Sequence, residues 1–299
     1  MAASKPSHDP EPGGGLAHRR IGVVVHPSRA VEGPLRALRQ WTEARGFDIV
    51  QVAAACQQQQ VADRGRAEEC DLIVSIGGDG TSLAALRAGA DAERPVLGVA
   101  YGSLGVLTSV APDGVAEAVE RFSHGDWVPR CLPGLAIVRE GAGNLLALND
   151  FVIVRAGEGQ VRVSAYLDGV LFARFAGDGC VVSTPVGSSA YSLSAGGPLL
   201  APHMRAFLLT ALPAHGGFSP PLVVSGDSEL RLEATAGFGG ARLELDGQVI
   251  EGRPGSASIT LQGDVATVVS FDDQEPLLTG LRRRRIILDS PRIVADDAE

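Results

Sequence analysis

Asp79 stands among glycines in Gly77-Gly78-Asp79-Gly80-Thr81, directly after the apolar run Ile73-Val74-Ser75-Ile76. The apolar run reads as a strand, the glycines as a tight turn that leaves backbone N–H groups uncovered, and Thr81-Ser82 as the opening of a helix. Uncovered amides and a helix dipole at such a junction favour a phosphate. A carboxylate at its centre does not. Asp79 therefore implies a metal partner or a hydroxyl to be activated, which is phosphoryl-transfer chemistry.

A second chemical cluster runs from Gly177-Asp178-Gly179 through Ser183-Thr184-Pro185-Val186-Gly187-Ser188-Ser189-Ala190-Tyr191 to Ser194-Ala195-Gly196-Gly197-Pro198. A helix cap needs one or two hydroxyls. Seven hydroxyl-bearing residues lie between Ser183 and Ser194. Small polar groups at a strand-to-helix junction can read the hydrogen-bonding edge of a base or an amide, and Tyr191 adds an aromatic face.

Composition narrows the choices. Lys5 is the only lysine, so a Walker A loop, the strand lysine of a protein kinase and a Schiff-base enzyme are excluded. Any phosphate must be met by backbone amides, arginines or a metal. Net charge is −9, with a pI of about 5.2, which speaks against nucleic acid or an anionic membrane as a partner. Arg282 to Arg285 is the one basic run and reads as a solvated segment or subunit contact. Cys56, Cys70, Cys131 and Cys180 are far apart and form no zinc spacing. No histidine pair has metal-ligand spacing, and no G-x-S-x-G elbow is present. Without a signal peptide or a long apolar span, the expected location is cytoplasmic, with reduced thiols.

The elements that must position these clusters follow from hydrophobic periodicity. Residues 1–19 read as a disordered tail. Over 20–125, strands at Ile21–Val25, Phe47–Ala54, Asp71–Ile76 and Pro95–Ala100 alternate with helices at Gly33–Arg45, Ser82–Ala90 and Pro112–Phe122, and Gln57–Gln60 is a loop or helix start. That alternation predicts an α/β domain with a parallel sheet. Near Gly125 the texture changes, and 126–270 reads as a β-rich domain. Its strands are Leu145–Arg155, Val161–Leu167, Val170–Phe175, Leu222–Ser225, Arg242–Leu245 and Ala257–Leu261. Asp168-Gly169 predicts a hairpin, and one helix begins near Ser188. Met204–Leu212 fits strand and helix equally. Residues 271–299 form a C-terminal segment in which Ile286–Leu288 is a candidate strand returning to the first domain.

Taken together these segments resemble the NAD kinase family, in family order, from Ile21 onward. The resemblance rests on Gly77-Gly78-Asp79-Gly80-Thr81, Leu97-Gly98-Val99 with Gly102-Ser103-Leu104-Gly105-Val106-Leu107-Thr108, Leu148-Asn149-Asp150, the block from Asp178 to Pro198, and Leu245-Asp246-Gly247. It implies two domains with the active site in the cleft between them, and a homodimer or homotetramer. The implied reaction moves the γ-phosphoryl of ATP, with Mg2+, to the 2′-hydroxyl of the adenosine ribose of NAD. The resemblance makes Asp79 catalytic and lets Gly77, Gly78, Gly80 and Thr81 admit phosphates. Asn149 and Asp150 would hold ribose or adenine, Ser189, Ala190 and Tyr191 would frame the adenine, and Asp178 would take the far end of the dinucleotide. Asp246 would be a second-domain carboxylate near the same site.

Five positions depart from the family pattern. Ala100 stands for Asn, Val106 for Phe, Asp150 for Glu, Val186 for Thr or Ser, and Pro220 for Arg. They spare Asp79 and keep NADH, or another nucleoside 2′-hydroxyl, open as acceptor. A diacylglycerol-type lipid kinase shares only GGDGT and would need an apolar pocket in place of the hydroxyl-rich block. A non-catalytic nucleotide-binding relative could carry the changes at Ala100, Val186 and Pro220, but Asp79, Asn149 and Asp178 argue against it.

Overall fold

The computed structural model describes residues 17–54, 59–101, 105–140, 143–216, 219–272, 280–282, 286–290 and 293. Most of the tail, part of the glutamine patch, Gly102 to Leu104, Arg283 to Arg285 and most of the C-terminal segment lie outside the described residues. Two compact units form: Met1–Arg130 with Val268–Glu275, and Cys131–Thr267 with Pro276–Glu299.

The first unit alternates β1 (Arg20–Val25), α1 (Glu32–Arg45), β2 (Asp48–Val52), β3 (Arg64–Gly65), β4 (Leu72–Gly77), α2 (Asp79–Ala92), β5 (Val96–Ala100) and α3 (Val115–Ser123). The strands lie in the order β3-β2-β1-β4-β5 and pair in parallel. β1, β4 and β5 are almost wholly buried, which explains their near-continuous apolar sequences: a parallel strand covered on both faces has no polar side. Helix α1 turns Leu35, Leu38 and Trp41 into the core, the stripe that its spacing predicts. It stops at Gly46, whose φ of 68° suits a residue without Cβ and whose N–H bonds Thr42 O.

This strand order reverses direction between β1 and β4. In open α/β sheets, ligands bind outside the carboxyl ends of the strands at such a reversal. GGDGT follows the carboxyl end of β4, so the topology puts it there.

The second unit holds β6 (Val128–Arg139, its first residues in the first unit), β7 (Leu145–Ala147), β8 (Asp150–Arg155), β9 (Val161–Leu167), β10 (Val170–Gly177) and β11 (Gly179–Ser183). A short helix α4 (Tyr191–Ser194) follows. Then come β12 (Ala206–Ala211), β13 (Leu222–Ser225), β14 (Leu230–Ala236), β15 (Ala241–Leu245), β16 (Gln248–Ile250) and β17 (Ser256–Ser270). One sheet runs β13-β12-β11-β8-β15-β16, and its neighbour runs β10-β9-β14-β17 with β6 and β7 attached. Alternate residues of both, among them Phe151, Ile153, Val163, Cys180, Val182, Phe207, Leu232, Leu243 and Leu245, fill one core. This is the sandwich solution for sheets with one apolar face.

Several elements differ from the sequence reading. The helix after GGDGT starts at Asp79, not Ser82. Leu145–Arg155 is two strands broken at Leu148-Asn149. Met204–Leu212 resolves as strand β12, and Ile286–Leu288 lies outside any strand. Asp168-Gly169 makes the expected turn, with φ of 48° and 80° joining Leu167 to Val170. Two positive φ values in succession are what a type I′ hairpin demands.

Candidate active site

In the first unit, Gly78 caps α2 and Asp79 is its first residue. A carboxylate there is stabilised by the helix dipole. Its Oδ1 accepts a hydrogen bond from the Leu107 N–H at 2.9 Å. The Gly105 N–H in turn bonds Thr108 Oγ1 at 2.5 Å, so the loop that delivers Leu107 is itself fastened. The glycines have separate reasons. A Cβ on Gly77 would lie 2.3 Å from Thr81 Oγ1, so Gly77 makes room for the buried Thr81 side chain. A Cβ on Gly78 or Gly80 would meet nothing within 4 Å. These two leave open space beside the helix N-terminus, as a phosphate needs.

Gly105 answers to Asp79 directly: a Cβ there would come within 2.0 Å of Asp79 Oδ1. We expect Gly105→Ala to keep the fold while pushing the carboxylate off Leu107, because a short side chain can rotate where backbone cannot. With Asp79 in the catalytic role that its sequence setting implies, the expected result is a kcat about tenfold or more below wild type, since small displacements of a reacting group carry large rate costs. Steady-state rates beside a thermal melt check it.

His26 follows β1 on the same edge. Its Nδ1 accepts the N–H groups of Ser28 and Arg29, each at 3.2 Å. Burial, then the charge of Arg29, holds its pKa below the ordinary value. This is a neutral ring organising a turn.

In the second unit the outer face of the six-stranded sheet carries the polar groups. Alternation puts Asp150, Val152 and Val154 of β8 opposite to core-facing Phe151 and Ile153. Ser183 of β11 pairs with Asp150, while Glu244 and Arg242 of β15 pair with Val152 and Val154. Tyr191 of α4 lies within electrostatic reach of Glu244, Arg242, Asp178 and Asp150; burial first, then the Glu244, Asp178 and Asp150 charges, raise its pKa, while the Arg242 charge works against them.

Asp246 occupies the turn after β15 at a φ of 50°. Its carboxylate accepts three backbone N–H groups: Leu148 at 3.0 Å, Asn149 at 2.6 Å and Asp150 at 3.1 Å. That function is structural, since it splits β7 from β8 and presents Asn149 and Asp150. Asn149 Oδ1 is buried without a hydrogen-bond partner, as is Ser183 Oγ. Asp150 is 6% exposed. Burial first, then the charges of Asp246 and Glu244, push its pKa from 3.8 to about 7. A buried polar atom without a partner is costly unless a ligand or water completes it, so Asn149 and Ser183, with the buried Asp150 beside them, mark a place where a hydrogen-bonding ligand fits.

The hydroxyl-rich block is less available than its sequence implies. Thr184 donates to Leu148 O at 2.7 Å and Ser188 to Pro185 O at 2.6 Å. Ser189 donates to Val186 O at 2.9 Å, and Ser192 pairs with Thr210 at 2.7 Å. Local side-chain-to-backbone bonding of this kind is what Ser and Thr do at turns. Ala190 and Tyr191 remain exposed, and Tyr191 keeps an accessible ring. Gly187 is needed because a Cβ would lie 1.9 Å from Asn149 O; it lets the block dock against the Asn149 strand break. Asp178 is paired with Arg155 at 2.6 Å.

Sequence reasoning missed Arg242 and Glu244. Their signal was the alternation Arg242-Leu243-Glu244-Leu245, which puts both charges on the face opposite the core.

A separate cavity of about 430 Å³ is lined by Arg19, Arg45, Phe47, Glu120, Ser123 and His124. It sits at the amino-terminal edge of the parallel sheet, opposite GGDGT. Its polar groups satisfy one another, with Arg45 bound to Glu120 at 2.7 Å and Arg19 to Arg45 O at 2.5 Å, so it is not the reaction site.

Residues 20–127 match the ATP-NAD kinase N-terminal domain, and 148–263 match the ATP-NAD kinase C-terminal domain. The NAD kinase of Heliobacterium modesticaldum is 35% identical over 239 residues, covering 76% of this chain and 84% of that protein. The NAD kinase of Marinobacter nauticus is 36% identical over 228 residues, covering 72% and 77%. Yeast NADH kinase, solved with NADH, superposes with a TM-score of 0.74 at 18% identity over 91% of this chain and 88% of its own. An Archaeoglobus fulgidus NAD kinase, solved with ATP, gives 0.70 at 23% identity over 90% and 100%. The two structures speak for the fold. The domain matches and the sequence relatives carry more: this chain belongs to the NAD kinase family.

Proposed function

We propose that this enzyme transfers the γ-phosphoryl group of ATP to the 2′-hydroxyl of the adenosine ribose of NAD, giving NADP and ADP. The observation that carries the reading is Asp79, anchored through Oδ1 to the Leu107 N–H at the start of α2, beside two glycines that leave the helix end open. The bond formed joins the ribose 2′-oxygen to the γ-phosphorus, and the bond broken is the bridge to the β-phosphate. The hydroxyl proton passes to the Asp79 carboxylate late in the transfer, because a sugar hydroxyl is too weak an acid to ionise first. Asp79 thus orients the nucleophile before it accepts the proton, as general bases in phosphoryl transfer do.

Gly78 and Gly80 leave room for phosphates on the amides, while Gly77 and Thr81 shape the turn. In the second unit Asn149 and Asp150 are assigned to the nucleotide, with Asp246 holding their backbone. Tyr191 offers a stacking face, Ser189 and Ala190 border it, and Asp178 takes the far end of the dinucleotide. Mg2+ is commonly held by one or two carboxylates together with nucleotide phosphates, and Asp79 is the carboxylate at the glycine turn able to supply such a contact. The ion would offset phosphate charge in a chain whose only lysine is Lys5. A homodimer or homotetramer and a cytoplasmic location complete the proposal; among the described residues, no helix is long and apolar enough to cross a membrane.

The test is purified protein with ATP, magnesium and NAD, followed through an NADP-specific dehydrogenase. NADP formation is expected. Turnover of NADH but not NAD would change the acceptor alone. No product from either overturns the proposal.

A further inference from the structure

Glu244 and Arg242 stand on the outer face of β15, and the strand register fixes what they can reach. Glu244 pairs with Val152 and Leu245 with Phe151. Asp150 lies two residues from Val152 on the same face of β8, which makes Glu244 its diagonal cross-strand neighbour, with Cβ atoms roughly 7 Å apart. The Glu244 side chain is only 14% exposed, and its Oε1 is fixed by Arg242 Nε at 2.5 Å. Asp150 itself makes no side-chain hydrogen bond or ion pair among the described residues. Around it stand Asn149 and Ser183 with orphan oxygens, the Asp246 carboxylate saturated by three amides, and the Tyr191 hydroxyl of α4. Of these neighbours, Glu244 alone carries a charge that an adjacent cation can either compensate or release.

We propose that Glu244, clamped by Arg242, is a positioning residue of the dinucleotide site that acts through Asp150 and decides whether that carboxyl donates or accepts hydrogen bonds to the nucleotide. The inference rests on the NAD kinase reading for the identity of the ligand. A neutral Asp150 offers one O–H donor beside the Asn149 acceptor. An ionised Asp150 would add a third negative charge to a face already carrying Asp246 and Glu244, where the pyrophosphate of NAD brings more. Binding NAD therefore favours the protonated carboxyl, and affinity falls as pH rises through the Asp150 titration at about 7. Each half of the ion pair pulls that midpoint a different way. The Glu244 charge raises it, and the Arg242 charge, by compensating Glu244, lowers it.

The experiment is calorimetric titration of the full-length protein with NAD across the pH range spanning the midpoint, for the wild type, Glu244→Gln, Arg242→Gln and Asp150→Asn. Glu244→Gln keeps the shape and a hydrogen bond to Arg242 and is expected to move the midpoint down by about one pH unit, the size of a unit charge at this separation near a protein surface. Arg242→Gln is expected to move it up, and Asp150→Asn to abolish it. Opposite shifts from two partners of one ion pair are not what loss of a structural brace would give. An unmoved midpoint in Glu244→Gln, or shifts of the same sign in both, overturns the inference. Binding is measured without turnover, so a chain that binds NAD with these shifts yet forms no NADP would refute the kinase reading alone.

Discussion

Asp79→Asn is expected to lower kcat by roughly 10²-fold or more while the KM for NAD stays close to wild type. Asparagine is nearly isosteric, and its Oδ1 can still accept the Leu107 N–H that holds Asp79 at 2.9 Å. The turn and the start of α2 therefore survive. What disappears is the group proposed to take the hydroxyl proton as the new P–O bond forms. An interaction realised only in the transition state shows in kcat and kcat/KM together, not in KM. The helix dipole also loses its complementary charge, a cost of about 0.3–1 kcal/mol that a melt would register. Full retention of rate in a folded Asp79→Asn protein would remove Asp79 from the mechanism.

The second large effect is on stability and belongs to Asp150. Its folded pKa stands near 7 against an ordinary 3.8, so between those values the folded chain holds a proton that the unfolded chain has lost. Stability then falls as pH rises across that window and levels off above it. Some 3 pH units at roughly 1.4 kcal/mol each give a contribution on the order of 4 kcal/mol. Asp150→Asn has no proton to lose. It is expected to gain stability over wild type at pH 8 and to converge with it at low pH. Glu68, Glu120 and Glu233 act in the opposite sense. Their own backbone, Arg45 and Arg231 respectively are the leading causes that hold them below 4.5, so what they contribute is lost as pH falls through those lower values. Taking the difference between variant and wild type cancels them. Urea unfolding at a series of pH values measures it, and parallel curves would show that Asp150 is ionised throughout.

Local patterns in the sequence reveal much of this architecture. The apolar run into GGDGT is β4 leading to α2, because a buried parallel strand and a glycine turn each leave a local mark. Asp168-Gly169 is a hairpin for the same reason. The unreadable parts are non-local. Met204–Leu212 lacks alternation because β12 is buried along almost its whole length. The break at Leu148-Asn149 is imposed by Asp246, 98 residues away from Leu148 in sequence, and no neighbouring residue announces it. Thr184, Ser188 and Ser192 look like ligand-reading groups until their bonds to carbonyls and to Thr210 are seen. Hydroxyl count alone does not separate a pocket from a tightly turned backbone.

The first unit closes with residues supplied late. Val268 pairs in parallel with Val96 on β5, and Val269 and Phe271 fill the core that Ile21, Val74 and Leu97 begin. A nascent chain emerging from the ribosome must therefore carry an unfinished α/β layer, with the Val96 end of one flank of β5 uncapped, until nearly the whole sandwich has been translated. Unpaired strand edges invite association. A chain that stops just before Val268 would thus lose more than a few residues of strand, leaving an α/β layer with an incomplete core and prone to stick to its own kind.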